Sequence, residues 1–213
     1  LLESGFEVIP PIYKSHQFVG ASIPLGSTSI VFDVHWRILN ASRYARVIGF
    51  TEALEHSIPL PGMESCRTLG PIDSLLLACM HRKGSENHDQ DHLVWLYDIH
   101  LLVSSLSALE LQEFALKAVR KNMQAECRDG MQKSRSCFAT EVSDEVMRTL
   151  RSATPEMAWS RRFVESNLGL LADDFYHLPD IHSKLALLKE LFLPSATFLL
   201  NRYEKRKAIW LPI

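Results

Sequence analysis

Three side chains able to do chemistry fall at alternate positions of one short segment, "SIVFDVHWRI", residues 29–38. Asp33, His35 and Arg37 alternate there with Phe32, Val34 and Trp36. A two-residue alternation predicts a half-buried strand. The carboxylate, imidazole and guanidinium would then project in a row, roughly 6 to 7 Å from one to the next. On an active-site wall, Asp33 would serve as metal ligand or general base, with His35 and Arg37 near an anionic substrate. The planar donor fork of Arg37 suits phosphate. Read as a solvated strand face, the same row needs no ligand, and Trp36 anchors the buried side. One carboxylate alone is not a two-metal site, which needs several ligands around ions about 3.5 to 4 Å apart.

A second group of chemistry-bearing residues comprises His81, His88, Asp89, Asp91, His92 and Asp98. A metal phosphohydrolase using His81, His88 and Asp89 is one reading. The spacing opposes it, because such sites draw ligands from well-separated helices and His88–Asp89 lies in a polar loop seven residues past His81. Asp98, amid "WLYDIHLLV", is either a buried hydrogen-bond partner or a functional group. The basic run "RYEKRK", Arg202 to Lys207, suits either a solvated helix end or a nucleic-acid contact. No GxSxG, P-loop, GxGxxG or CxxC motif is present.

The elements that must position these residues change character along the chain. Up to about residue 40 the pattern is β: "FEVIP", "HQFVGASI" and "STSIVFDVHWRI" predict three short strands, the last two joined at "PLGS" by a tight hairpin. From Gly70 onward apolar residues recur at helical spacing. "PIDSLLLACMHRK" predicts a buried helix with Pro71 in its first turn. "GSENHDQD" reads as a loop. "HLVWLYDIHLLVSSL" predicts a helix with Leu93, Leu96, Ile99 and Val103 along one face. Ser107 and Glu110 form a capping box opening "ALELQEFALKAVRKN", and further helices are expected near 131–140, 144–153, 156–166, 181–192 and 195–206. The fold class is therefore α+β, a small, incomplete antiparallel or mixed sheet followed by a mostly helical C-terminal body.

The 213 residues are 46% hydrophobic with a formal net charge of −2, an ordinary globular composition with no general electrostatic drive toward nucleic acid or anionic lipid. The four cysteines lack metal-site spacing, which fits reduced thiols and a cytoplasmic location. No apolar run approaches the ~20 residues of a membrane span. The opening "LLESG" reads as the last turn of a helix stopped by Gly5, so the chain is expected to be the C-terminal portion of a longer protein.

Four segments in order, "VFDVHWRI", "LLLACMHRKG", "HLVWLYDIHLLV" and "LFLPSATFLLNRY", resemble the blocks of the uncharacterised bacterial nucleotidyltransferase family, within the polymerase-β-like nucleotidyltransferase superfamily. The resemblance implies that residues 1–50 are the remainder of a palm-like sheet and residues 51–213 a helical domain. It implies nucleotidyl transfer from a nucleoside triphosphate, with Mg²⁺, to an acceptor that is a small molecule, protein or nucleic acid. In such a site Asp33 supplies the third metal-binding carboxylate, with His35 and Arg37 as neighbours of the triphosphate. His81 and Asp98 would belong to the helical body as packing or substrate-side groups. The Gly-Ser turn and Asp-x-Asp pair of the family would precede Leu1, so this chain alone is expected to be inactive. The alternative is a non-catalytic nucleotide-binding or scaffold protein that retains the fold.

Overall fold

The computed structural model describes residues 7–9, 18–25, 28–35, 37–39, 42–84, 92–151 and 167–193. Among these the fold is α+β, with a small antiparallel sheet followed by a mostly helical body. Strands β1 (Glu7–Ile9), β2 (Phe18–Leu25) and β3 (Thr28–His35) pair antiparallel in that order. The register sets Gly20 between Ile9 and Asp33. Strand β2 continues through Pro24 and Leu25, leaving a two-residue connection to Thr28, one step tighter than "PLGS" suggests. Proline is tolerated there because β1 pairs only with residues 20–22, so position 24 lacks a β1 partner.

A short helix α1 (Phe50–Glu55) leads into a second hairpin, β4 (Ile58–Leu60) and β5 (Met63–Thr68). Pro61 and Gly62 make its turn, and Gly62 takes φ 78°, the left-handed value a type II turn requires at that position. This hairpin was not anticipated, because its strands are mostly exposed and carry no alternation of apolar and polar residues.

The body is built on α2 (Pro71–Gly84), which packs against α3 (Leu93–Ser105), α4 (Ala108–Arg120) and α5 (Gln124–Phe138). Leu75, Leu76, Cys79 and Met80 of α2 are fully buried, each large apolar side chain contributing about 1.5–3 kcal/mol. They meet Ile99, Phe114, Cys127 and Met131 in one core, which also takes in Leu39, Tyr44, Val47 and Ile48 from the segment ahead of α1. Ile99 and Val103 face this core and Leu96 is buried, as expected, but Leu93 is 65% exposed. It is the first residue of α3, at the end of the helix. The capping box is present: Ser107 Oγ accepts from the Glu110 N–H at 3.3 Å, and Glu110 Oε2 accepts from the Ser107 N–H at 2.8 Å.

Helix α5 begins seven residues before the expected 131, with Gly130 in its interior. The glycine is a contact point rather than a stop. A Cβ there would come within 3.0 Å of Ile99 Cδ1 and 3.4 Å of Cys79 Sγ, so its absence lets α5 approach α2 and α3. Helix α6 (Asp144–Thr149) follows, then α7 (Asn167–His177) and α8 (Ile181–Phe192). Helix α7 was not expected, since Gly169 interrupts its pattern; it is tied to the core segment where the Ser42 N–H donates to Asp174 Oδ1 at 2.8 Å. The expected helices at 156–166 and 195–206, the loop 85–91 and the "RYEKRK" run lie outside the described residues. All four cysteines are free, and no described helix is long and apolar enough to cross a membrane.

Candidate functional site

Two polar clusters and one strand carry the chemistry. The first cluster centres on Lys117. This lysine lies on the buried stripe of α4 that holds Phe114 and Ala118, and its side chain is only 7% exposed. A buried ammonium needs anionic partners, and the chain supplies two, from α1 and α2. Asp73 in the first turn of α2 accepts from Lys117 Nζ. Glu52 Oε1 of α1 lies 3.0 Å from the same ammonium, and His56 Nδ1 lies 3.3 Å from it. Three donors thus have three acceptors within reach. Lys121, one turn on, reaches Glu52 Oε2 at 2.7 Å. His56 Nδ1 is also 3.1 Å from Asp73 Oδ2, and a single ring nitrogen serves one of these contacts at a time.

Gly70 makes this convergence possible. A Cβ on it would stand 2.5 Å from the His56 carbonyl oxygen, so only glycine lets the start of α2 come in under His56. The electrostatics follow the geometry. Burial alone would raise the Glu52 carboxyl, but hydrogen bonds from Lys121 and Lys117 outweigh it and hold it below the ordinary range. Burial alone would lower the Lys117 ammonium, and the bonds from Asp73 and Glu52 raise it instead.

Glu52, His56 and Asp73 each offer a ligand atom, all within 4.8 Å of one another, a set whose donors suit a divalent ion. Lys117 Nζ, however, sits among them, and two carboxylates already balance two ammonium groups. A dication would have to displace a lysine that the site holds charged. Mg²⁺ also prefers an all-oxygen shell to an imidazole. The residues as arranged do not fit resident Mg²⁺. None of these four was singled out from sequence; the available signal was a lysine at a core position, spaced 114, 117, 118, 121.

The second cluster is an open groove between α2 and α3 of about 550 Å³. Both His81 and Asp98 line it, on opposite walls, with Trp95 between them in sequence and ring-to-ring with His81 at 5.3 Å and 89°. Asp98 is exposed and makes no hydrogen bond or ion pair with any described residue. The buried reading of Asp98 is therefore excluded. Sequence reasoning missed Trp95, which falls three residues before Asp98 and thus on its side of the helix. His88, Asp89 and Asp91, the rest of the phosphohydrolase reading, lie outside the described residues, while His92 caps α3 and packs its ring 4.4 Å from that of Trp95.

On β3 the backbone places Asp33 opposite Gly20 and His35 opposite Phe18. Arg37 follows the strand, half-buried. Burial first, and then the nearby Arg46 guanidinium, lower its pKa. The structure therefore puts Asp33, His35 and Arg37 along one strand end, and His81 with Asp98 on a separate groove.

Compared with known proteins, the chain matches the family of uncharacterised nucleotidyltransferases over residues 1–139, which run through β3 to the residue that caps α5. The chain belongs to this family. No curated protein and no solved structure matches it. The match takes in the Asp33 strand, the Lys117 cluster and both walls of the groove. It ends before "LFLPSATFLLNRY", so the fourth block of the resemblance contributes nothing to it.

Proposed function

We propose that the intact protein is a polymerase-β-like nucleotidyltransferase. It would move a nucleotidyl group from a nucleoside triphosphate to an acceptor, with Asp33 as a metal ligand. The observation that supports this best is the family match running through β3. The cross-strand partner of Asp33 is Gly20, and a glycine within a strand often marks a place where a ligand approaches the backbone closely. Arg37 and Arg46 are near enough to repel one another, and a triphosphate beside them would relieve that repulsion through charge-assisted hydrogen bonds. His35 would donate to the same anion. Asp33, with further carboxylates, would hold Mg²⁺, which would supply charge stabilisation for the displacement. Asp33 alone does not suffice to hold it, and two further carboxylates have to join it. In this reading residues 1–50 hold the triphosphate and residues 51–213 form the helical body, with Leu39, Tyr44, Val47 and Ile48 packed into the latter's core.

The test is full-length protein with Mg²⁺ and labelled nucleoside triphosphates. Label should pass to an acceptor with the wild type and not with Asp33→Ala. Triphosphate binding that is unchanged in Asp33→Ala, with no transfer by either protein, overturns the proposal. A second reading, a non-catalytic nucleotide-binding protein, draws on the single carboxylate of β3 and the lysine-filled state of the other acidic cluster. It expects binding that depends on Asp33 without transfer.

A further inference from the structure

The groove between α2 and α3 has two unlike ends. His81 at the end of α2 touches Trp95 in the first turn of α3, so the helices run back along one another and their stripes face across the gap. Trp95 and Asp98, three residues apart, make a pair of an indole and an open carboxylate. Beyond them the walls are apolar, with Leu77 and Ala78 on one side and Leu101 and Leu102 on the other. Ser74 and Thr68 lie at the far end, where Ser74 Oγ already donates to the Leu69 carbonyl at 3.2 Å. Among the described residues the lining holds one carboxylate and no lysine or arginine.

A triphosphate there would meet the Asp98 carboxylate with no described lysine or arginine of the lining to offset it. That charge pattern suits a positive ligand. An ammonium beside Asp98 gains a charge-assisted hydrogen bond and, within about 6 Å of the indole face, a cation–π attraction. The walls are apolar enough to bury a flat hydrocarbon or aromatic body, and the volume is within the range of small-molecule sites, about 300–1,000 Å³.

We propose that this groove binds an amine carried on a flat apolar body, its ammonium held by Asp98 and Trp95. The groove lies wholly within the helical body, so binding there does not require the triphosphate.

Three indoles of nearly equal shape test the charge directly on the full chain: tryptamine (cationic), tryptophol (neutral) and indole-3-acetate (anionic), titrated by ligand-observed NMR. Tryptamine should bind best and indole-3-acetate worst. Asp98→Asn should weaken tryptamine about 10-fold while leaving tryptophol unchanged, the loss of one charge-assisted contact. Trp95→Ala should weaken both tryptamine and tryptophol. Circular dichroism on each variant confirms that the helices persist. Indole-3-acetate binding as well as tryptamine, tryptamine binding indifferent to both substitutions, or no probe binding at millimolar concentration overturns the proposal. Loss of tryptamine binding with Asp33-dependent triphosphate binding intact would refute the groove alone and leave the transfer reading standing.

Discussion

Asp73 and Asp98 are carboxylates on adjacent helices of one body, and the fold treats them in opposite ways. Asp73 is 1% exposed, meets an ammonium and stands beside an imidazole, and lies where three elements converge. Asp98 faces an open groove, and no described residue bonds to it. In the first case the chain has already supplied every partner, so a ligand has nothing to add. In the second the unmet bonding capacity is left to solvent or to a ligand. The difference teaches how to separate an acidic cluster that holds a fold together from one that can recognise something. Proximity of ligand atoms does not decide it; what already lies among them does.

The largest expected effect comes from emptying the filled cluster. Lys117→Ala leaves Asp73 and Glu52 without their shared cation, and should lower stability by about 3 kcal/mol in denaturant unfolding. A loss below about 1 kcal/mol would mean the cluster relaxes into water, and the contrast with Asp98 would fail. Next, Gly70→Ala drives a methyl into the His56 carbonyl and should cost about 2 kcal/mol. Its signature is added exchange of the amides at the start of α2, where the cluster is assembled.

The pH dependence separates the two regions further. The folded-state pKa of Glu52 is depressed, so its contribution is present above the ordinary carboxylate pKa of about 4.3 and is lost as pH falls through the depressed value. Lys117 is raised, so its contribution is present below about pH 10.4 and lost as pH rises through the raised value. Thermal melts should show both limbs in the wild type. Glu52→Gln should flatten the acid limb, whereas Asp98→Asn should leave both intact. The smallest effect is that of Asp98→Asn on stability itself, within about 0.5 kcal/mol of wild type. A larger loss would show that Asp98 is bound into the fold after all.

What the sequence made legible was local. The Ser107–Glu110 box, Pro71 at the start of α2 and the apolar run Leu75–Met80 each depend on neighbours within a few positions, and each is present as read. The alternation of "SIVFDVHWRI" likewise located β3. What failed depended on distant partners. Gly130 reads as a helix breaker until Ile99 and Cys79 are seen to lie against it. Lys117 reads as an ordinary surface lysine on a helix until Glu52, His56 and Asp73, which lie between 44 and 65 positions away, are brought around it. Asp98 shows the reverse case, an acid in an apolar stretch that could be read as buried or functional and that faces a groove. The strand row Asp33, His35 and Arg37 was legible as a row, and the family match extends through it.

The central claim is that triphosphate and amine occupy separate places, one dependent on Asp33 and the other on Asp98. Titrating wild type, Asp33→Asn and Asp98→Asn in parallel, first with Mg²⁺ and a nucleoside triphosphate and then with tryptamine, tests it most directly. The account predicts a crossed result: Asp33→Asn loses the triphosphate and keeps the amine, and Asp98→Asn does the opposite. Either substitution weakening both ligands equally, or neither weakening its own, would contradict it.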